Sequence, residues 1–336
     1  MNDWIERKRK AILQVLHDAG TPVSSEIITK HLLSLGYNIS ERTVRLHLSQ
    51  LDKEGYTEQI PKQGRKITEQ GIIEISRSRV FQRLGFLTAK INQMTFAMNF
   101  DLSTLSGSVV INITLICRDD ILKAIPLMQR VFEEKYSMGE MVTLFDTGEQ
   151  VGDTTIPEGY LGIGTVCSIT INGILLKAGI PTISRYGGLL EIVNKQPKRF
   201  AALIDYAGTT LDPLEIFIKS GMTDYLGATS TGNGLVGASF REIPKASHDK
   251  IHKLSRYINS IGLHGIMAIG KPEQPVCELP VNTDCLGLVI VGGLNPVAIL
   301  EESGMRLDSH ALSALVDYSK LFHYSELGIK AERMLS

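Results

Sequence analysis

The strongest constraint on the fold is an internal repeat. A shift of 125 residues brings two long stretches of the chain into near gapless register, so that residues 161–163 fall on 286–288 and residues 178–180 fall on 303–305. Because matching apolar patterns require equivalent burial, the two stretches are expected to share one topology. The repeat therefore predicts an α/β domain with pseudo-two-fold symmetry.

Within the repeated region, an apolar strand, a short loop, a helix and a closing glycine recur three times. The predicted strands are Val166–Ile169, Ala201–Tyr206 and Leu288–Val291. The glycines expected to end the three helices are Gly179, Gly221 and Gly304. Asp212 and Asn295 are suited to cap the second and third helices, since each precedes a proline that loses nothing at the first helical position.

Residues 1–70 show the element order of a winged helix-turn-helix. Three segments with helical apolar spacing are followed by an extended stretch and a basic turn, which predicts three helices and a β-wing. The third helix, ERTVRLHLSQLDKEG, places Val44, Leu48 and Leu51 on its buried side. The side chains predicted to face DNA are Arg42, Arg45 and Ser49 on the other side of this helix and Arg65 and Lys66 at the wing tip.

The N-terminal part of the chain is mildly basic, which favours binding to DNA. Residues 1–80 contain 13 Lys and Arg against 10 Asp and Glu, although the whole chain has a formal net charge of −1. In a winged helix, the third helix enters the major groove and the wing contacts backbone phosphates. A small helical domain with a solvated basic face, or a protein-docking module, would show a similar excess. We favour double-stranded DNA because element order, spacing and basic positions agree.

Residues 71–90 are expected to form a connecting helix, and residues 91–325 the repeated domain. Apolar residues alternate with a period of two from Met94 to Phe100, which predicts the first strand of a hairpin around the loop 101–107. No low-complexity linker separates these parts.

Composition excludes several classes of protein. Hydrophobic residues make up 43% and charged residues 21% of the 336 residues, which is typical of a folded protein and not of disorder, collagen or a coiled coil. The four cysteines form no CxxC pair, so neither a disulfide framework nor a zinc ribbon is expected. No apolar run is long enough for a membrane helix, and the charged start is unlike a signal peptide. We therefore expect a soluble cytoplasmic protein.

The search for catalytic motifs is negative. The glycine-rich stretches at 232–234 and 291–293 lack the GK[ST] of a P-loop, and no GxSxG or HExxH occurs. His248 and His252 are four residues apart on a predicted helix and could bind a metal, yet no glutamate follows His248 directly. We therefore interpret them as a pair of surface residues. We expect no catalytic residue, no metal and no cofactor.

The repeated domain places helix N-termini at strand ends, an arrangement that binds small anions through free backbone N–H groups. The first strand-loop-helix unit suits an anion best, because Asp212 would repel it at the second unit and proline removes a donor after Asn295 at the third. An arginine would supply a cation there, although pairing with Glu191 or Glu242 is an alternative role for the arginines. The predicted binding residues are Thr165, Cys167, Ser168, Asn172, Arg185, Gly187, Gly188 and Arg241.

Three segments of the chain resemble a known protein family. They are residues 159–191, GYLGIGTVCSITINGILLKAGIPTISRYGGLLE, residues 208–222, GTTLDPLEIFIKSGM, and residues 239–244, SFREIP. They are similar to the regulatory domain of the nitrogen-regulatory repressors first described in methanogenic archaea. The resemblance spans most of residues 80–320 and follows the winged helix expected in that family.

The resemblance implies a dimeric transcriptional repressor of nitrogen-assimilation genes, which 2-oxoglutarate releases from its operators. The two carboxylates of this effector require several donors and a cation, which favours the first strand-loop-helix unit with Arg185 or Arg241 as a clamp. The chain has room for one regulatory domain, whereas some members carry two in tandem, so it acts alone or with a partner regulatory protein. The alternative is an enzyme of small-dicarboxylate metabolism with an accessory winged helix.

The predicted fold class is therefore α/β. It consists of an N-terminal winged helix-turn-helix, followed by an internally duplicated α/β regulatory domain with pseudo-two-fold symmetry that binds the effector and dimerises.

Overall fold

A boundary between Leu84 and Gly85 divides the chain into two separately packed units. The structure is a computed structural model that describes residues 3–82 and 85–335. Each unit has a buried apolar cluster of its own. The boundary falls inside the predicted connecting helix of residues 71–90, whose residues 83 and 84 lie outside the described part of the chain.

The first unit is a winged helix, as predicted. Its elements are α1 (Asp3–Ala19), α2 (Ser25–Ser34), α3 (Glu41–Lys53), β1 (Thr57–Ile60), β2 (Gly64–Ile67) and α4 (Glu69–Gln82). Serine side chains cap the N-termini of α2 and α3. The Ser24 hydroxyl accepts a hydrogen bond from the Ile27 N–H, and the Ser40 hydroxyl accepts one from the Thr43 N–H. The strands β1 and β2 pair antiparallel to form the wing.

The second unit contains helices and two five-stranded sheets around one apolar cluster. Its helices are α5 (Phe86–Ala97), α6 (Ile121–Glu133), α7 (Ile169–Lys177), α8 (Pro213–Lys219), α9 (Tyr225–Thr231), α10 (His248–Ser260), α11 (Asn295–Glu302) and α12 (Leu327–Leu335). Its strands are β3 (Ser108–Cys117), β4 (Met141–Phe145), β5 (Gln150–Val151), β6 (Thr154–Thr155), β7 (Tyr160–Val166), β8 (Ile183–Val193), β9 (Gln196–Asp205), β10 (Gly234–Pro244), β11 (Ile266–Ile269), β12 (Cys285–Val291), β13 (Asp308–Asp317) and β14 (Phe322–His323).

The two repeats have the same order of elements. The shift of 125 residues carries β7 onto β12 residue for residue, and carries β3, α6, β4, α7 and β8 close to β10, α10, β11, α11 and β13. One sheet has the order β13-β3-β7-β4-β14 and the other the order β11-β12-β10-β8-β9, with antiparallel pairs throughout. The last strand of each repeat therefore pairs with the first strand of the other. This reciprocal exchange confirms the duplicated α/β domain.

One predicted hairpin is wrong. Residues Phe86–Ala97 form the helix α5, where a period-two alternation through Phe96 predicted a strand. Leu87, Ile91 and Met98 recur at helical spacing and are buried, whereas Phe96 is 84% exposed. The helical period of the buried residues therefore decides the structure of this segment.

The predicted helix ends are mostly confirmed. Gly179, Gly221 and Gly304 follow their helices with positive φ angles of 71°, 63° and 82°. The Asp212 carboxylate caps α8 by accepting hydrogen bonds from two backbone N–H groups. The first predicted strand is wrong, because β7 ends at Val166 and the next two residues form the loop before α7.

The predicted cap at Asn295 is also wrong. Leu294 occupies the N-cap position, and Asn295 is the first residue of α11. The Asn295 side chain is buried, where it accepts a hydrogen bond from the Tyr225 hydroxyl and donates one to the Gly237 carbonyl oxygen. A buried amide needs such partners, so this side chain joins α11 to α9 and β10 instead of capping its own helix.

Candidate functional site

The helix α3 presents the face that was predicted to contact DNA. Val44, Leu48 and Leu51 are buried on one side of the helix. Arg42 and Ser49 are exposed on the other side, and neither side chain forms a hydrogen bond or ion pair with the described residues. These two side chains are therefore free to contact a ligand in solution.

The Arg45 side chain is exposed and already paired. Its guanidinium lies 2.6 Å from the Glu41 carboxylate and donates to the Ser25 hydroxyl at 3.1 Å. An exposed pair with this spacing contributes little stability, so a phosphate can displace Glu41 at low cost. Leu46 is 59% exposed on the same helix, where it suits contact with a thymine methyl group.

The wing differs from its prediction at Arg65. The turn between β1 and β2 consists of residues 61–63, so Lys62 lies at the wing tip and the predicted tip residues Arg65 and Lys66 both lie in β2. Arg65 lies in β2, and its Nε donates to the Asp52 carboxylate of α3 at 2.9 Å. Arg65 therefore fixes the wing to α3. Lys66 is exposed, as a phosphate contact requires.

The three strand-loop-helix units meet at one cavity in the second unit. Cys167 and Ser168 come from the loop between β7 and α7, Gly293 and Leu294 come from the loop between β12 and α11, and Asp212 caps α8. The other lining residues are Ile91, Asn112, Ile169, Tyr206, Leu214, Ala311 and Leu312. The cavity volume is about 10 Å³, which is room for about one water molecule.

Backbone donors around this cavity are uncommitted. The N–H groups of Ser168, Gly293 and Leu294 have no hydrogen-bond acceptor within residues 3–82 and 85–335. They lie at the N-termini of α7 and α11, where the helix dipole adds partial positive charge. Free donors from two helix N-termini around one space are an arrangement that holds a carboxylate or a phosphate.

Arg241 is hydrogen-bonded to Ser168 in the loop between β7 and α7. Its guanidinium donates to the carbonyl and hydroxyl oxygens of Ser168, both at 2.9 Å, and to the side-chain oxygen of Asn172. Burial lowers the pKa of Arg241 to about 10, which leaves it protonated at neutral pH. The Arg241 Nε is buried and has no hydrogen-bond partner among the described residues. Because its terminal donors are already used and Arg241 does not line the cavity, it supplies positive charge nearby, and the predicted direct clamp on a carboxylate is absent from this conformation.

Other predicted residues support the lining. Asn172 is bonded to Arg241, and Thr165 accepts a hydrogen bond from the lining residue Asn112 at 3.4 Å. Gly187 borders Tyr206, since a Cβ at this position would lie 3.1 Å from the Tyr206 hydroxyl oxygen. The predicted residues that line the cavity directly are Cys167 and Ser168.

Two predicted residues lie away from the cavity. The Arg185 Nε lies 3.4 Å from the carboxylate of Glu242, which is the neighbour of Arg241 on β10 and points to the opposite face of the sheet. Gly188 packs against β9, where a Cβ would lie 2.4 Å from the Ala202 carbonyl oxygen. Arg185 and Arg241 therefore do not converge on one ligand, and the alternative pairing of Arg185 with Glu242 is the one observed.

Two titratable side chains line the cavity. Burial, with a smaller contribution from Glu215, raises the pKa of Asp212 to about 7, although its carboxylate accepts two backbone hydrogen bonds. Asp212 is therefore partly protonated at neutral pH. Burial raises the pKa of the Cys167 thiol to about 11, so this residue is a neutral thiol and lacks the reactivity of a thiolate.

Neither a metal centre nor a membrane span is found in the described ranges. No three His, Cys, Asp or Glu side chains of these residues are grouped to hold a metal ion. The rings of His248 and His252 lie 4.7 Å apart on α10. None of the helices in the described part is both long enough and apolar enough to cross a membrane.

Comparison with known proteins identifies the family. Residues 84–323 match the model for the NrpR regulatory domains NRD1 and 2, and residues 10–75 match the model for the ribonuclease R winged-helix domain. The chain is 35% identical over 321 residues to the global nitrogen regulator NrpRI of Methanosarcina mazei, with 96% of this chain and 99% of that protein covered. The chain belongs to the NrpR family.

Two further NrpR proteins are longer than this chain. The global nitrogen regulators NrpR of Methanococcus maripaludis and Methanocaldococcus jannaschii are 33% identical over 310 residues and 31% identical over 319 residues. The matches cover 92% and 94% of this chain but only 54% and 55% of those proteins. The crystal structure of a nitrogen repressor-like protein from Methanococcus jannaschii matches 71% of this chain and 98% of its own, with 26% identity and a TM-score of 0.61.

Several cavity residues of this NrpR chain carry no motif of their own. The sequence does contain a signal for Gly293, because the shift of 125 residues equates it with Ser168. Asn112 is a polar residue within the apolar strand β3, which also marks it as unusual. Tyr206 has no such signal, because it becomes part of the cavity only through the packing of the loop that follows β9.

Proposed function

We propose that this chain is a transcription regulator that represses nitrogen-assimilation genes, and that 2-oxoglutarate relieves its binding to operator DNA. Membership of the NrpR family supports a role in nitrogen regulation. The winged helix supplies a DNA-binding module, and the second unit supplies a cavity with anion-binding character. The observation that carries the effector proposal is the set of uncommitted N–H groups at Ser168, Gly293 and Leu294.

The proposed DNA contacts are those of α3 and the wing. Arg42, Arg45 and Ser49 would enter the major groove, while Lys66 and the wing-tip residue Lys62 would contact backbone phosphates. One winged helix makes too few contacts for tight specific binding, so we propose that a homodimer binds an operator with two half-sites in the cytoplasm. A partner regulatory protein would be an addition to this dimer.

The proposed effector site needs to open before it is occupied. A cavity of about 10 Å³ does not hold a dicarboxylate, so the loops before α7 and α11 must separate as the ligand enters. One carboxylate would then accept hydrogen bonds from the free N–H groups, with the charge of Arg241 behind Ser168 adding attraction. A protonated Asp212 would donate a hydrogen bond, whereas an ionised Asp212 would repel the ligand.

A binding competition tests this mechanism. DNA fragments selected by the protein from a random pool would be titrated with the full chain, and fluorescence anisotropy would be measured with and without 2-oxoglutarate. A hundredfold loss of DNA affinity corresponds to about 2.7 kcal/mol of coupling, and by reciprocity the selected DNA must weaken 2-oxoglutarate binding by the same factor. Equal calorimetric affinity for 2-oxoglutarate with and without DNA would refute the induction mechanism.

Variants of the winged helix test the DNA contacts separately. Arg42→Ala should reduce affinity for the selected DNA by roughly 1 to 3 kcal/mol and relax its base preference. Lys30→Ala is the control, because Lys30 is an exposed cation of the same unit that is paired with Glu26 on α2. Equal binding by both variants would show that α3 does not read the operator.

The alternative of a dicarboxylate-metabolising enzyme has no observation in its favour. The thiol of Cys167 is neutral because burial raises its pKa to about 11, so the cavity lacks an activated nucleophile. Incubation of the chain with 2-oxoglutarate, followed by chromatography of the acid, checks for turnover. Consumption of the acid would favour the enzyme.

A further inference from the structure

A second cleft of the regulatory domain lies between equivalent segments of the two repeats. One side is formed by Glu134, Lys135, Tyr136 and Glu140, which follow α6. The other side is formed by Asn259, at the end of the equivalent helix α10, and by the segment 264–267 that follows this helix. The turn between β8 and β9 completes the lining with residues 195–197. The cleft has a volume of about 340 Å³, which falls within the range of small-molecule sites.

Two buried polar atoms of this lining lack a hydrogen-bond partner. In the described part of the chain, such atoms are five in number, and the Tyr136 hydroxyl and the His264 Nε2 are two of them. Tyr136 is only 3% exposed. Buried polar groups are normally satisfied. Both atoms are shielded from solvent in this conformation, so a molecule in the cleft would supply the missing partners once the two side chains turn toward it.

The charged groups of the cleft are of both signs. Lys195 is paired with Glu134 at 2.8 Å, whereas the Lys135 ammonium has no ion pair with any described residue. The Glu140 carboxylate has no Lys or Arg partner in the described ranges and lies between two histidines, 4.0 Å from the Nδ1 of His264 and 3.6 Å from the Nε2 of His323. The cleft thus offers one free cation and one acid without a permanent cation partner.

We propose that this cleft binds a small zwitterion of the free α-amino acid class. The ligand carboxylate would pair with Lys135, and its ammonium group would donate to Glu140. The Tyr136 hydroxyl and the His264 Nε2 would complete their hydrogen bonding on the same molecule or on water bound with it. Because the lining comes from both repeats, an occupant joins them and stabilises the domain.

Binding can be measured directly on the full chain. The standard proteinogenic amino acids would be screened one at a time at millimolar concentration by the shift in thermal unfolding, and each positive would be titrated by calorimetry. We expect saturable binding by at least one of them. The N-acetylated and the carboxamide derivatives of that amino acid should bind about tenfold more weakly or worse, since each lacks one charge.

Variants locate the binding. Lys135→Asn removes the ammonium at a position whose φ of 59° asparagine tolerates, and Glu140→Gln removes the acid. Each should weaken binding about tenfold or more. Lys62→Asn is the matched control, because it makes the same change at a φ of 61° in the winged helix and should leave amino acid binding unchanged.

The role of the unsatisfied hydroxyl is tested by Tyr136→Phe. If the ligand uses this hydroxyl, the variant binds more weakly, whereas a hydroxyl without a function would leave affinity unchanged and its removal would raise thermal stability. The proposal is overturned if no amino acid binds, if Lys135→Asn and Glu140→Gln bind as the wild type does, or if the charge-deleted derivatives bind equally well. None of these outcomes bears on the 2-oxoglutarate cavity.

Discussion

The two repeats of the regulatory domain share their topology but differ in the loops that meet at the cavity. The loop of the first repeat contains Cys167 and Ser168, whereas the equivalent positions of the second repeat are Gly292 and Gly293. Arg241 of the second repeat bonds to the loop of the first, but its equivalent in the first repeat is an isoleucine, so the second loop has no such arginine. The topology of the two repeats is symmetric, and these side chains make the cavity between the two loops asymmetric.

The glycine of the second loop is required by close packing. A Cβ at Gly293 would lie 2.5 Å from the Asn112 Nδ2 and 2.6 Å from the Val166 carbonyl oxygen. The backbone of the second loop therefore contacts the first repeat directly. The first loop instead carries a serine whose side chain bonds to Arg241.

The largest effect is expected from the removal of Arg241, which is bonded to the loop of the first repeat and has no counterpart at the loop of the second. Arg241→Met leaves the buried oxygens of Ser168 and Asn172 without their donor, which should lower the free energy of unfolding by about 3 kcal/mol or more, at roughly 1 to 3 kcal/mol for each unsatisfied oxygen. Urea denaturation measures this change. Arg199→Met is the control, because its pair with Glu191 is exposed and should contribute below about 1 kcal/mol. Similar losses in both variants would contradict the asymmetry.

The second prediction concerns the close approach of the loops. Gly293→Ala should lower the free energy of unfolding by roughly 1 to 3 kcal/mol, because its methyl group meets backbone atoms that cannot move freely. Thermal unfolding provides the measurement. Gly328→Ala in α12 has no atom within 4 Å of the added Cβ and should be neutral or stabilising. A stable Gly293→Ala protein would mean that the two loops are less tightly packed than described.

The third prediction uses the acid that caps α8 beside these loops. Asparagine caps helices as well as aspartate, so Asp212→Asn keeps the cap and removes the charge. Wild-type affinity for 2-oxoglutarate should fall above pH 7 by up to about tenfold per pH unit as Asp212 ionises, and the variant should lack this fall. Calorimetry between pH 6 and 8 measures both. Asp249→Asn, at a side chain that is 93% exposed, should retain the wild-type profile.

The same group also affects stability. Its pKa is raised above the value of about 3.9 in an unfolded chain, so the folded state binds the proton more tightly. The contribution of Asp212 to stability is therefore greatest at low pH and is lost as the pH rises from about 4 through 7. Asp212→Asn should remove that decline, and parallel stability curves for the two proteins over this range would contradict the raised pKa.

The smallest effect is expected at the arginine that lies on the other face of the sheet. Arg185→Lys keeps the charge beside Glu242 and does not touch the cavity, so the affinity for 2-oxoglutarate should change by less than about twofold. Arg241→Lys, by contrast, loses the geometry that holds Ser168 and should weaken effector binding by about tenfold or more. Equal effects of the two substitutions would reassign the effector site to the region between the two arginines.

Local patterns predicted the elements well but could not predict their partners. The shift of 125 residues anticipates that β7 and β12 are equivalent, and Gly179 and Gly304 end the following helices as expected. Nothing in apolar periodicity states which strands pair, so the exchange of β8 and β13 between sheets appears only in the structure.

The lining of the candidate cavity could also be predicted only in part, because the sequence shows local properties and not which distant segments come into contact. Cys167 and Ser168 line the candidate cavity, and they were predicted because they precede a helix, which is a local property. Arg185 and Arg241 have the same chemistry in the sequence, and only the pleat of β10 and the register of its neighbours place them on different faces. Asp212 seemed unsuited to an anion, because its raised pKa arises from burial that the sequence does not show.

The exchange of strands between the repeats sets the time at which this domain can form during synthesis. The strand β3 is made early, yet the Ile113 N–H within it donates a hydrogen bond to the hydroxyl of Ser313 in β13, which is 200 residues later in the chain. Until β13 leaves the ribosome, β3 has an unpaired edge that another nascent chain can occupy. Closing so long a loop is also slow, because its entropy is lost before the contacts are gained. The two repeats therefore fold together as one domain, and only after both have left the ribosome.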